Sequence, residues 1–247
     1  MKWRLLISRF LLLLLAAALL SAVLEGAFRL VRVFRPPRAV RDELLGWRSN
    51  GPVLREMAGM RADGVRYRIR YETAANGFRF WEQDRQAKHR LLVIGDSFTE
   101  AYQVSNEKTY FARLRDMLGD EWALFAYGMG GYGTLQECLV LEKFWDEIKP
   151  DLVIWQWCSN DLWNNTYALD SRTSDNFNVV PRPYLEGDAV RVRCPHSVPV
   201  LSRHSDLWQY SVSRAARAWF SGHTSPWDTA RTNQLEFVQA MEVSDRI

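Results

Sequence analysis

The chain has 247 residues, 47% of them hydrophobic and 25% charged, with a formal net charge of +3. These proportions belong to a folded globular protein and exclude a disordered or low-complexity chain. The charge is unevenly spread: residues 1–90 carry 18 Lys and Arg against 8 Asp and Glu, while residues 91–247 carry 14 against 21. The basic half contains no patterned nucleic-acid-binding motif, so a membrane surface explains it more simply and no nucleic acid is expected as a partner.

The first element is apolar. From Phe10 to Leu24 the only polar residue is Ser21, and carried back to Leu5 the stretch reaches about twenty residues, enough to cross a bilayer. A basic start followed by an apolar middle also fits a cleaved signal peptide, but no Ala-x-Ala site follows. Instead the segment runs on through Arg29, Arg32 and Arg35 until Pro36 and Pro37 stop it. Residues 1–35 therefore read as a retained anchor, in the membrane through residues 5–24, with a basic juxtamembrane end. Lys2, Arg4 and Arg9 precede the span, and Arg29, Arg32, Arg35, Arg38 and Arg41 follow it. The positive-inside rule gives no clear orientation from these flanks, and their excess leans toward a cytoplasmic domain.

Residues 36–88 are punctuated by Gly46, Gly51, Gly59, Gly64 and Gly77, and residues 65–71 alternate apolar residues with Arg66, Arg68 and Arg70. This pattern predicts loop and hairpin with a solvated basic face, forming a small appendage. From residue 89 the period changes. A strand ending at Ile94 is followed by a helix over 109–118, a strand over 122–125, a helix over 134–148 and a strand over 152–157. Such alternation predicts a parallel sheet with helices on its faces, hence a three-layer α/β/α domain over 89–247. Residues 164–203 lose the rhythm and read as a lid-like insertion, with helices expected near 207–220 and 228–243. Trp155 and Trp157 share one face of a strand expected to be central and are assigned to the core, while Trp163 is the better cleft residue.

Three turns carry the chemistry, and each follows a predicted strand: Gly95-Asp96-Ser97, the glycine-rich run from Gly128 to Gly133, and Ser159-Asn160-Asp161. Parallel strands bring their carboxyl ends to one sheet edge, so these turns are expected to converge. A serine hydroxyl, an unobstructed glycine N–H and an asparagine amide are the groups that serine acyl transfer needs: a nucleophile and donors for the developing oxyanion. The other reading of Asp96-Ser97 is a helix cap. Cys138, Cys158 and Cys194 are widely spaced with no Cys/His cluster, so no metal site is expected.

Together these blocks resemble the SGNH/GDSL hydrolase family in its membrane-anchored bacterial form. Asn76-Gly77-Phe78-Arg79 and Gly131-Tyr132-Gly133-Thr134-Leu135-Gln136 add to the likeness, which covers about residues 40–165. The resemblance implies a flavodoxin-like α/β/α sheet with Ser97 as nucleophile and Asp96 supporting its loop. By the same likeness the Ser97 and Gly131 N–H groups and the Asn160 side chain form the oxyanion hole. It further implies no metal or organic cofactor, an acylated glycan or lipid as substrate, and a domain in the periplasm or outside the cell. The chain departs from the family at Ala126, where many members carry Asn, and at Cys158, where many carry Gly. The fourth family block, an Asp-x-x-His that supplies the base, does not occur, because none of His89, His196, His204 and His223 has an aspartate three residues before it. The domain is accordingly expected to be incomplete at its carboxyl end, with His204, beside Ser205 and Asp206, the nearest substitute. Two alternatives stay open: an O-acyltransferase of envelope glycans, and a non-catalytic envelope-binding protein that kept the fold.

Overall fold

The computed structural model describes residues 2–34, 37–60, 62–83, 86–171 and 180–194. The helices expected near 207–220 and 228–243, and His196, His204 and His223, lie outside the described residues.

The amino-terminal helix α1 (Lys2–Phe34) contains a 26-residue stretch, Leu6–Val31, of mean hydropathy 2.4. At about 1.5 Å per residue it is about 39 Å long, against a hydrocarbon core of about 30 Å. The helix is therefore long and apolar enough to span a membrane. Ser21 donates its hydroxyl to the Ala17 carbonyl at 2.8 Å, which keeps that polar group satisfied without water. Near the far end, Arg29 pairs with Glu25 one turn back at 2.7 Å.

A second compact unit begins at Arg38. Two antiparallel pairs open it, β1 (Ala39–Asp42) with β2 (Gly46–Ser49) and β3 (Val53–Met60) with β4 (Arg66–Thr73). A four-stranded sheet follows, built from β5 (Phe80–Trp81), β6 (His89–Gly95), β7 (Trp122–Gly128) and β8 (Leu152–Gln156) in the order β5-β7-β6-β8. Strand β6 runs parallel to β7 and β8, and β5 pairs antiparallel with β7. The helices are α2 (Ser97–Glu100), α3 (Tyr110–Leu118), α4 (Thr134–Ile148), α5 (Asp161–Asn164) and α6 (Tyr167–Asp170). A last hairpin joins β9 (Arg182–Glu186) to β10 (Ala189–Arg193). The described fold is thus mixed α/β, with small mixed sheets and one apolar amino-terminal helix.

The strand period decides how the central sheet packs. Leu92 and Ile94 of β6, with Phe125 and Tyr127 of β7, bury against Leu135, Leu139 and Val140 of α4. The intervening Leu91 and Val93, with Leu124 and Ala126, bury against Phe111, Leu114 and Leu118 of α3. Alternate residues face opposite sides of a strand, so a continuous apolar run is what helices on both faces require. Helix α4 occupies the span expected from the sequence, and Lys149 in the left-handed region (φ 48) with Pro150 behind it ends it.

Four expectations are corrected. Strand β7 runs on to Gly128 rather than ending at Phe125, because Ala126, Tyr127 and Gly128 keep register with Val93, Ile94 and Gly95. Residues 36–88 do not form an appendage: Leu45, Trp47 and Phe78 share the core under α4, and β5 extends the central sheet. The stretch 164–203 holds α6 and the β9–β10 hairpin, with Arg182 and Tyr184 fully buried, instead of a lid-like loop throughout. Trp155 and Trp157 are 36% and 56% exposed, not core, because β8 is a margin of the sheet among the described residues.

Candidate active site

Strand order sets the place. The chain steps from β6 through α3 to β7 on one side, then returns through α4 to β8 on the other side of β6. Where the order reverses, the loops leaving neighbouring parallel strands part and leave a crevice at their carboxyl ends. Ser97 leaves β6 there, the glycine turn leaves β7, and Asn160 follows β8.

Ser97 is exposed on a buried turn. Asp96 caps α2, its Oδ1 accepting the Phe98 N–H at 2.9 Å, so the helix-cap reading holds for that residue. The Ser97 hydroxyl donates to Asp96 Oδ2 at 3.4 Å. The cap and the serine are thus neighbouring parts of one turn, and the carboxylate that starts the helix also orients the hydroxyl.

The glycine turn is pressed against α2. A β-carbon at Gly128 would lie 2.1 Å from the Glu100 nitrogen, and one at Gly130 would lie 3.8 Å from Ser97 Cβ. Gly131 takes φ +79, which a residue with a side chain adopts only under strain. The Gly130 N–H donates to Glu100 Oε2 at 2.9 Å, and Arg38 Nε stands 3.0 Å from Glu100 Oε1. Burial pushes the Glu100 carboxyl up, while Arg38 and the Gly130 N–H oppose that rise.

Arg79 locks the same turn from behind. Its guanidinium donates to the Glu100 carbonyl, to the Ala101 and Val104 carbonyls at 3.0 Å each, and to Asn106 Oδ1 at 2.7 Å, while stacking 4.3 Å over Tyr71. Burial lowers its pKa to about 10, so it stays cationic at neutral pH. Arg38, Arg79 and Glu100 were not singled out by sequence as site residues. The signals were present in the Asn76–Arg79 block and in Glu100, one turn beyond the serine.

The second and third turns are joined directly. Asn160 Nδ2 donates to the Tyr132 carbonyl at 3.2 Å and to Asn164 Oδ1 at 2.9 Å. Its donors are therefore engaged at the rim, and an oxyanion would have to compete with the Tyr132 carbonyl for one of them. Trp163 is half-buried in α5. His89, the single histidine among the described residues, sits at the amino-terminal end of β6, its ring 3.9 Å from Asp151. It lies at the opposite end of the strand from Ser97 and is no base for it. Among the described residues no group of three His, Cys, Asp or Glu could hold a metal ion.

Beneath the rim lies a cluster of buried acids, Asp96, Glu137 and Asp161. Glu137 Oε2 accepts the Trp155 indole N–H at 2.5 Å, and its Oε1 has no hydrogen-bond partner among the described residues. Burial raises the Glu137 pKa most and repulsion from Asp161 adds to it. Asp161 is likewise pushed up by burial and by Asp96, against the Cys158 N–H. An acid held above its unfolded value binds more protons when folded, so its contribution to stability is full in acid and is lost as pH rises. The Glu137→Gln variant keeps an acceptor for Trp155 but removes the titration. Its melting temperature, compared with wild type, is expected to show a larger gain at pH 8 than at pH 5. An equal difference at both values would contradict a raised Glu137.

No family model, no curated protein and no solved structure matches this chain.

Proposed function

We propose that the chain is a membrane-tethered serine acyl hydrolase of SGNH type, built on a flavodoxin-like α/β/α domain and acting on O-acyl groups of a carbohydrate or lipid. On this reading the domain lies in the periplasm or outside the cell. One observation carries this reading: an exposed serine on a capped, buried turn lies beside a glycine turn, close enough that a β-carbon at Gly130 would stand 3.8 Å from Ser97 Cβ.

In the reaction, Ser97 Oγ attacks the ester carbonyl carbon. A C–O bond forms, the carbonyl electron pair moves to oxygen, and the Ser97 and Gly131 N–H groups with Asn160 stabilise the oxyanion. As Ser97 attacks, its hydroxyl proton passes to a general base. Collapse breaks the bond to the alkoxide, which leaves as the alcohol with that proton. Water then adds to the acyl carbon and gives a proton to the base, and the bond to Ser97 Oγ breaks, that oxygen being reprotonated as the acid departs. Among the described residues the acceptor within reach of Ser97 Oγ is Asp96. In an O-acyltransferase, a sugar hydroxyl replaces the water. The engaged donors of Asn160 favour a second reading, a non-catalytic binding protein that keeps the site's architecture.

The test is release of nitrophenol from a nitrophenyl ester by the full chain in detergent, with and without acceptor sugars. Release above the buffer rate is expected, and acyl transfer to sugar would assign the transferase form. A wild-type chain no faster than buffer would overturn catalysis and leave the binding reading.

A further inference from the structure

We infer that Arg182, on the β9–β10 hairpin, is a positioning residue that holds the glycine turn and the Asn160 turn in register and sets which end of the Asn160 amide faces the rim. The catalytic meaning of this inference rests on the hydrolase reading above, but its structural content does not.

Arg182 is 0% exposed. Burying a guanidinium costs several kcal/mol unless it is paired, and replacing a buried ion pair by apolar packing is often neutral or stabilising. A buried arginine therefore calls for a reason other than stability, and its contacts supply one. Nε stands 3.1 Å from Asp170 Oδ2, Nη1 donates to Gln136 Oε1 at 3.2 Å, and the guanidinium lies 4.9 Å over Trp47.

Each partner leads to the rim. Gln136 Oε1 also accepts the Gly133 N–H at 3.3 Å, which ties the end of the glycine turn to Arg182. Trp47 Nε1 donates to the Gly130 carbonyl at 3.3 Å, and the Tyr132 hydroxyl donates to the Trp47 carbonyl at 2.5 Å. On the other side, Asp170 Oδ1 accepts from Asn164 Nδ2 at 3.2 Å, and Asn164 Oδ1 accepts from Asn160 Nδ2 at 2.9 Å.

The polarity of this last chain matters. Asp170 Oδ1 accepts from Asn164, so Asn164 turns its NH₂ inward and its oxygen toward Asn160. Asn160 then turns its NH₂ toward Asn164 and the Tyr132 carbonyl, the acceptor with which an oxyanion would compete. Arg182 Nε, 3.1 Å from Asp170 Oδ2, holds that carboxyl where its other oxygen accepts from Asn164. With the cation and carboxylate both replaced by amides, the side chain at position 170 can either donate or accept, and Asn164 and Asn160 are free to flip.

The experiment uses the full chain in detergent as wild type, Arg182→Lys, and the double variant Arg182→Gln with Asp170→Asn, which leaves no lone buried charge. Two quantities are read: hydrogen exchange of peptides covering 128–135, 158–165 and 89–95, and the rate at which a fluorophosphonate labels Ser97. In the double variant, exchange at the two turns is expected to rise at least tenfold while 89–95 stays protected, and labelling to slow at least tenfold. Arg182→Lys keeps the charge but loses the fork, so its exchange is expected to rise more at 128–135 than at 158–165. Wild-type exchange at both turns, or turns that open only together with 89–95, would overturn the inference. If the double variant does not fold, the Arg182→Lys comparison decides. If wild type takes no label, the hydrolase reading fails, and the exchange data still decide the role of Arg182.

Discussion

Ser97→Ala is expected to lower ester hydrolysis by about 10⁴-fold or more while leaving the melting temperature unchanged within error, because removing a nucleophile removes the acyl-enzyme route itself. Two features make this a clean test of chemistry. The residue is exposed, so no packing is lost, and the cap of α2 is made by Asp96 and not by the serine hydroxyl. Asn160→Ala is expected to cost less, about 10² to 10³ in turnover, since it withdraws one of several oxyanion donors. Steady-state kinetics on both variants separates the roles. A Ser97→Ala chain that keeps more than a hundredth of wild-type turnover would assign the nucleophile elsewhere.

The second large effect is on folding. A β-carbon at Gly128 would meet the Glu100 nitrogen at 2.1 Å and the Thr99 carbonyl carbon at 2.3 Å, and both are backbone atoms. A flexible side chain could swing away, but this backbone is held. The Glu100 N–H donates to the Asp96 carbonyl at 2.8 Å, and Arg79 grips the Glu100, Ala101 and Val104 carbonyls. The clash is relieved only by prising α2 from β7, which also parts Ser97 from the glycine turn. Gly128→Ala is thus expected to destabilise by about 3 kcal/mol or more. At roughly 2–4 °C per kcal/mol for a domain of this size, thermal unfolding should begin at least several degrees lower. A melting temperature within a degree of wild type would show that α2 and β7 are not packed this tightly.

The framework of the sheet was legible because burial on both faces demands unbroken apolar runs, and Leu91 to Ile94 is one. Helix α4 could be bounded because Pro150 blocks its continuation and its apolar residues recur at helical spacing. Strand β5 could not be read, since two residues, Phe80 and Trp81, carry no period. The exposure of Trp155 and Trp157 depends on where β8 falls in the strand order, which local alternation does not encode. The three site turns were visible as strand exits, but the wiring between them was not. Arg79 and Arg182 look like solvated surface residues in a sequence, because an arginine is buried only when distant partners meet it. Those partners, Asn106 for one and Asp170 with Gln136 for the other, come together only in the fold.

The gathering of the three turns around a reactive serine is tested most directly by treating the full chain with a fluorophosphonate and locating the adduct by peptide mass spectrometry. A single adduct on Ser97 is expected, absent from Ser97→Ala and formed at least tenfold more slowly in Asn160→Ala. No adduct on the wild-type chain, or one that persists after Ser97→Ala, would contradict a serine acyl-transfer site at this rim.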